Sequence, residues 1–290
     1  MDTLIDAAAL KARLDARDGT GQHTVVLDVR WALGDPHGHG HYLHGHIPGA
    51  VFVDLATELA GPADPRRGRH PLPPPEQFQE SARRWGINDG DAVVAYDDSG
   101  SMAAARLWWM LRNAGFPSVQ LLDGGLAAWR GAGFDTAAGA EQPAAGNVTL
   151  SGGAMPAIDA AQAASWGQHG LLLDARAGER YRGEIEPVDP RAGHIPGAVS
   201  APTTGNLQPD GRFLTPAELR ERFERLGYRA GVPTAVYCGS GVTAAHEIAA
   251  LEIAGLSAAL YPGSFSEWCH SASNDVVTGA APYSEGAVSN

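Results

Sequence analysis

The chain has 290 residues, is 44% hydrophobic and carries a formal net charge of −12. That supplies enough apolar material for one large or two medium cores, and an acidic chain without a basic stripe argues against nucleic acid as a partner. Two cysteines do not make a disulfide framework, and no apolar run approaches the about 18 residues of a membrane span.

The opening, "MDTLIDAAALKARLDARDG", carries acids at Asp2 and Asp6. It reads as an amphipathic helix and not as a signal or transit peptide. A soluble, cytoplasmic protein is therefore expected, in a reducing compartment that suits a free thiol. "TVVLDV" follows, a short apolar run of the kind that forms a buried parallel strand. "HGHGHYLHGH" (His37 to His46) invites a zinc or nickel reading. However, His46 belongs to a "GHIPGA" element that recurs later, and the other histidines stand among glycines that fix no coordination geometry. No metal site is expected.

The remaining elements alternate. "PEQFQESARRWG" reads as helix, "AVVAY" as strand, "SMAAARLWWMLRNAG" as helix, and "LLDGGLAAW" closes the series. Residues 137–153, rich in Gly and Ala, read as a linker. The same order then repeats: "LLLDA", "GHIPGAVSAPT", the helix "TPAELRERFERLG", the strand "TAVYC", the helix "GVTAAHEIAALEIAG" and "LYPGSFSEW". Asp28 and Asp174, His46 and His194, Asp97 and Cys238, and Trp129 and Trp268 stand at matching places. Two copies of one α/β domain explain this, each a mainly parallel sheet flanked by helices. The expected division is a first domain over 1–136, the linker 137–153, a second domain over 154–282 and a loose tail, 283–290.

The chemistry centres on "CGSGVTA". A strand ending at Cys238, then Gly239, Ser240 and Gly241, then a helix starting near Thr243, brings a sulfur to the carboxyl edge of the sheet. Glycines there allow successive amides to turn inward as an anion-binding nest, and the helix N-terminus adds partial positive charge. Both favour thiolate over thiol, and thiolate is the nucleophile. The plain alternative is a buried structural cysteine. The first repeat has Asp97 at the matching place. A carboxylate is no thiolate nucleophile, so that copy should be catalytically silent. Trp31 could line a wall of the site or pack in the core. Cys269 is expected to be a buried or incidental thiol. Asp28, Asp174, His46 and His194 are expected to tie down turns and loops.

The duplicated "GHIPGA" elements and the "CGSGVTA" loop resemble the two-domain rhodanese family of sulfurtransferases, over roughly residues 3–280. The resemblance implies that Cys238 takes up a sulfane sulfur as a persulfide and passes it on, with Gly239, Gly241, Val242 and Thr243 around the donor. It implies no metal or organic cofactor. Thiosulfate-using members commonly resemble "CRKGVTA" and 3-mercaptopyruvate-using members resemble "CGSGVTA", so mercaptopyruvate is the expected donor. The alternatives are a thiosulfate:cyanide enzyme or a non-catalytic persulfide relay. By the same resemblance, Arg182 and Arg191 would grip the donor's carboxylate and keto oxygen. Asp54, His70 and Ser240 would form a polar relay that moves a proton. The acceptor would be cyanide, a small thiol or a thioredoxin-like protein. A cysteine-dependent phosphatase needs an arginine six positions after the nucleophile, and Ala244 stands there.

Overall fold

The computed structural model describes residues 2–16 and 22–283, so the expected tail lies outside the described residues from 284 onward. Each repeat builds its own parallel sheet. In the first, β1 (Leu4–Ile5), β2 (Thr24–Asp28), β3 (Val51–Phe52), β4 (Ala92–Tyr96) and β5 (Val119–Leu122) stand in the order β1-β5-β4-β2-β3. In the second, β6 (Leu171–Asp174), β7 (Ala198–Ser200), β8 (Thr234–Tyr237) and β9 (Ala259–Leu260) stand in the order β7-β6-β8-β9. Ala157 adds a parallel bridge to Leu260, the place β1 takes in the first sheet. All the named strand pairs are parallel.

The central strands are buried along their whole length, which is why they read as unbroken apolar runs and not as alternation. The order in which strands are added reverses between β6 and β8: the chain leaves β6 towards β7 on one side and β8 towards β9 on the other. The loops after β6 and β8 therefore diverge and leave a crevice at the carboxyl edge, the usual ligand position in such sheets.

The helices around the second sheet carry clear local signals. Pro216–Arg225 starts with Pro216 and a reciprocal Thr215–Glu218 capping box. Thr243–Ile253 buries Ala244, Ala245, Ala249 and Ala250, small side chains that let a helix lie close to its sheet. Tyr237, Tyr261, Phe265 and Trp268 share one core cluster. In the first repeat Val94, Tyr96, Leu122 and Trp129 do the same.

The chain divides into two compact units, and the division differs from a clean cut. The first unit comprises Met1–Gly61, Pro73–Met155 and Leu207–Phe213; the second comprises Pro62–Leu72, Pro156–Asn206 and Leu214–Asn290. The stretch read as a linker, 137–153, is strapped along the first unit. The amides of Gly146, Val148 and Ser151 donate to Arg83 O (2.8 Å), Ile87 O (3.1 Å) and Ala114 O (2.8 Å). Its glycine content serves close approach, since a Cβ on Gly146 would sit 1.9 Å from Ile87 O. The segment 62–72, which precedes the helix Pro75–Arg84, packs with the second unit. It brings Arg69 and His70 there.

Candidate active site

β8 ends at Tyr237, and Cys238 opens the turn that runs through Val242 into the helix Thr243–Ile253. Cys238 is 2% exposed. Its Sγ lies 3.1 Å from the Gly241 amide, which donates to it. Gly241 has φ +77°, a left-handed conformation that turns its N–H back toward the sulfur and that glycine adopts at little cost. Gly239 and Ser240 complete the turn, and Val242 and Thr243 begin the helix.

A second segment clamps the turn. Phe265 N–H donates to Cys238 O (3.0 Å) and Ser266 N–H to Gly239 O (2.9 Å). Cys238 N–H donates to Ser264 Oγ (3.1 Å), and that hydroxyl donates onward to Tyr261 O (2.8 Å). Ser264 holds φ +53°, in the left-handed region. The matching residue of the first repeat, Gly125, holds φ +54°. A serine there accepts backbone strain of about 1–2 kcal/mol and gains a hydroxyl that fixes the Cys238 amide.

His70 joins the site through its ring: Nδ1 is 2.8 Å from Ser240 Oγ. The segment bearing it is anchored by Arg69 N–H, which donates to Ser266 Oγ (3.0 Å). His70 and Ser240, two of the three expected relay members, are thus in hydrogen-bond contact. The third, Asp54, belongs to the first unit, where its Oδ1 accepts from Ala56 N–H (2.9 Å) and caps the helix Leu55–Glu58.

The two expected donor arginines are engaged by other groups of the chain. Arg182 turns to Glu184, with Nε 2.7 Å from Oε1 and Nη2 2.8 Å from Oε2, in an exposed pair. Arg191 spends both ends of its fork on main-chain carbonyls, Nη1 on Ser271 O (3.0 Å) and Nη2 on Asn274 O (2.7 Å). The guanidinium groups at the cysteine turn belong to Arg180 and Arg69. A Cβ on Gly239 would meet Arg69 Nη2 at 3.0 Å and Arg180 Nη1 at 3.4 Å. Arg180 lies in the short helix Gly178–Tyr181 and Arg182 caps it. Residues two apart on a helix point about 200° apart, so only one of the pair can face the turn.

Carboxylates hold these arginines in place. Arg180 reaches Glu186 Oε1 through Nη2 (2.6 Å) and Asp189 Oδ2 through the same nitrogen (3.2 Å). Arg69 Nη1 pairs with the other oxygen of Asp189. Arg176 Nη1 adds a contact to Glu186 (3.4 Å) while its remaining nitrogens grip Asp174. Burial opposes ionisation of Glu186, yet the Arg180 bond and the Asp189 and Val188 amides outweigh it and hold its carboxyl below the usual range. For Asp189 burial prevails over the arginines and pushes the carboxyl up.

The first repeat shows what the same turn does without sulfur. Asp97 is fully buried and its carboxylate accepts four main-chain N–H groups: Ser99 (2.9 Å) and Ser101 (2.8 Å) on Oδ1, Ala103 (2.8 Å) and Ala104 (3.0 Å) on Oδ2. Burial raises its pKa and the four amides oppose that rise. The turn is an anion cradle filled by the chain's own carboxylate. Trp31 lines a separate cavity of about 340 Å³ in this unit, with Arg30, His41, Asp98 and Arg130.

The other singled-out residues have structural roles. Asp28 and Asp174 each bind the arginine two residues on, Arg30 and Arg176. His194 stacks on Tyr181 (3.8 Å between ring centres) and donates through Nδ1 to its carbonyl (2.8 Å); His46 uses Nδ1 likewise on Tyr42 O (3.0 Å). His41 contacts Asp35 (3.1 Å) and His44 the carbonyl of Gly40 (2.6 Å). Among the described residues, no three His, Cys, Asp or Glu side chains are grouped to hold a metal ion. Cys238 and Cys269 are both free thiols, and burial pushes the Cys269 thiol up to about 11. Sequence reasoning missed Arg180, Arg69 and Ser264. One signal was available for Arg69, which immediately precedes His70 in "RRGRHPLPP".

Comparison with known proteins adds the family. Residues 6–132 and 157–271 each match the description "Rhodanese-like domain". A Mycobacterium tuberculosis protein named "Putative thiosulfate sulfurtransferase SseB" is 46% identical over 283 residues, covering 96% of this chain and 98% of its own. A Pseudomonas aeruginosa protein named "Probable 3-mercaptopyruvate sulfurtransferase" is 47% identical over 283 residues, covering 95% and 98%. The crystal structure of SseA from Escherichia coli, a 3-mercaptopyruvate sulfotransferase, superposes with a TM-score of 0.80 at 31% identity, covering 91% of this chain and 99% of that one.

Proposed function

Because this chain belongs to the rhodanese family and is a sulfurtransferase, we propose that its donor is 3-mercaptopyruvate and that Cys238 carries the sulfur to a thiol, a thioredoxin-like protein or cyanide. The observation behind the reading is the cysteine turn. Cys238 Sγ sits under the Gly241 amide (3.1 Å), with Ser240 beside it in contact with His70 (2.8 Å). In this reading Arg180, beside the Gly239 turn, receives the donor's carboxylate. A charge-assisted hydrogen bond of this type contributes about 1.5–3 kcal/mol.

The steps follow from the chemistry. Cys238 thiolate attacks the donor's sulfur, an S–S bond forms, and the donor's C–S bond breaks. The electron pair goes to the donor carbon as the enolate of pyruvate, which must take up a proton. In this reading His70, with Ser240 as the bridging hydroxyl, supplies it. The persulfide then loses its own proton and rests as an anion under the Gly241 amide. An acceptor thiolate or cyanide takes the outer sulfur and returns Cys238 as thiolate. The two-step path replaces one difficult transfer by two easier ones. A cycle that needs a free thiolate suits a reducing compartment such as the cytoplasm. No helix among the described residues is long and apolar enough to cross a membrane.

The test is intact-protein mass spectrometry after mixing with mercaptopyruvate, together with a pyruvate assay. One added sulfur, mapped to Cys238 and matched by one pyruvate, is the expected result. Cys238→Ser should show neither. Sulfur gain on Cys269, or pyruvate release by the serine variant, overturns the mechanism.

A further inference from the structure

Arg69 is used by neither the family pattern in the sequence nor the steps above, and its position is unusual. It comes from the segment 62–72, ahead of the helix Pro75–Arg84, yet it reaches the turn that carries the nucleophile. Its Nη2 and Arg180 Nη1 approach the same Gly239 backbone, at 3.0 Å and 3.4 Å from where a Cβ would stand. Asp189 lies between the two guanidinium groups, one oxygen to each. The pair is therefore held as a unit and not as two independent surface arginines. The Arg69 side chain is 24% exposed, and its Nε is buried with no hydrogen-bond partner among the described residues. Nη1 is spent on Asp189, and Nη2 is the donor that faces the Gly239 turn, where an anionic ligand can meet it.

We infer that Arg69 is a donor-binding residue, and that it sets how strongly the site separates dianionic from monoanionic sulfur donors. The inference rests on the sulfurtransferase reading above. A loop of neutral sequence, Gly239-Ser240-Gly241, places no cation of its own beside Cys238. Arg69 provides one from outside the loop. Two donors probe it. Mercaptopyruvate presents one carboxylate. Thiosulfate presents two negative charges: the thiolate attacks its outer sulfur, the S–S bond breaks, and the electron pair departs with sulfite, with no proton required. Arg69 thus bears most on the dianion, whereas His70 bears on the donor that needs a proton.

The expected effect scales with donor charge. Coulomb energy is proportional to the product of charges, so at fixed geometry removal of one cation loses about twice as much for a dianion as for a monoanion. A 10-fold loss of kcat/KM for mercaptopyruvate would then accompany a loss of about 100-fold for thiosulfate. The experiment measures kcat/KM for both donors in wild type, Arg69→Gln and Arg69→Lys, with cyanide as acceptor. Arg69→Gln should lose more with thiosulfate than with mercaptopyruvate, mainly through KM, and Arg69→Lys should restore most of the donor ratio. Arg69→Met, which keeps the aliphatic stem, serves if the glutamine variant does not fold. Equal losses for both donors, a larger loss for mercaptopyruvate, or a lysine variant no better than glutamine overturns the inference and assigns Arg69 a packing role. Wild-type protein that transfers sulfur from neither donor overturns the functional reading and this inference with it. Normal wild-type transfer with an indifferent Arg69→Gln overturns this inference alone.

Discussion

Asp97→Ala separates what the first repeat does for stability from what it does for chemistry. The substitution removes a fully buried carboxylate that accepts four amides at 2.8–3.0 Å. Each buried N–H left without an acceptor costs about 1–3 kcal/mol, so the gross loss is about 4 kcal/mol at the low end. Two terms reduce it. The burial penalty on the charge, visible in the raised pKa of Asp97, is relieved, and a water can enter the vacated cradle and accept some of the bonds. A net loss of about 3 kcal/mol remains, which for a unit of this size lowers the melting temperature by about 6–12 °C. Asp97→Asn should fare little better, because its amide group would direct two donors at two donors. Scanning calorimetry at neutral pH reads the shift. Mercaptopyruvate turnover at room temperature should stay near wild type, since no reacting atom is lost. An unchanged melting temperature would falsify the account of a self-filled anion cradle. A folded variant as inactive as Cys238→Ser would show that the first repeat takes part in the chemistry.

Three further outcomes follow from the geometry. Both thiols are equally buried, but that of Cys269 is pushed up to about 11 whereas Cys238 Sγ accepts from the Gly241 amide, so iodoacetamide at mildly alkaline pH should modify Cys238 and spare Cys269; peptide mapping that finds equal labelling contradicts this. Ser264→Gly relieves the strain at φ +53° but deletes the hydroxyl that receives Cys238 N–H at 3.1 Å; a stability change within about 1 kcal/mol, the strain and the hydrogen bond being similar in size, should accompany reduced kcat. Ser264→Ala keeps the strain without the bond and should be less stable than Ser264→Gly, and a reversed order in urea melts refutes the strain argument. His194 is held neutral by burial, with its pKa lowered from 6.5. The unfolded chain therefore binds a proton that the folded one refuses. The stability this group contributes is complete above pH 6.5 and is lost as pH falls toward the folded value, at no more than about 1.4 kcal/mol per pH unit. Wild type should thus lose more stability than His194→Gln between pH 7 and pH 5, and identical slopes would dismiss the assignment.

Much of the fold was legible because its signals are local or repeated. β6 and β8 are buried on both faces, so their apolar runs are continuous in sequence. The recurrence of "GHIPGA" and of the Asp97 and Cys238 turns displayed the duplication directly. Cys238 was legible for the same reason: a strand end, two glycines and a helix start are consecutive residues, and the amide that faces the sulfur is only three positions away. The pairing of His70 with Ser240 came through resemblance, since 170 residues separate them and no spacing rule links them.

What the sequence left undetermined depends on direction and not on pattern. Arg180 and Arg182 are two residues apart in one short helix, and only the packing of that helix decides which of them faces Gly239. Arg191 looked available until the carbonyls of Ser271 and Asn274 claimed its fork. Residues 137–153 looked like a free connection until main-chain bonds laid them along the first unit. Arg69 reaches the cysteine turn from a segment far away in the chain, and Ser264 from the start of the short helix after β9. Chain periodicity reports burial, which each element settles with its own neighbours; the convergence of side chains on one sulfur is set by how distant segments pack, and that information exists only in three dimensions.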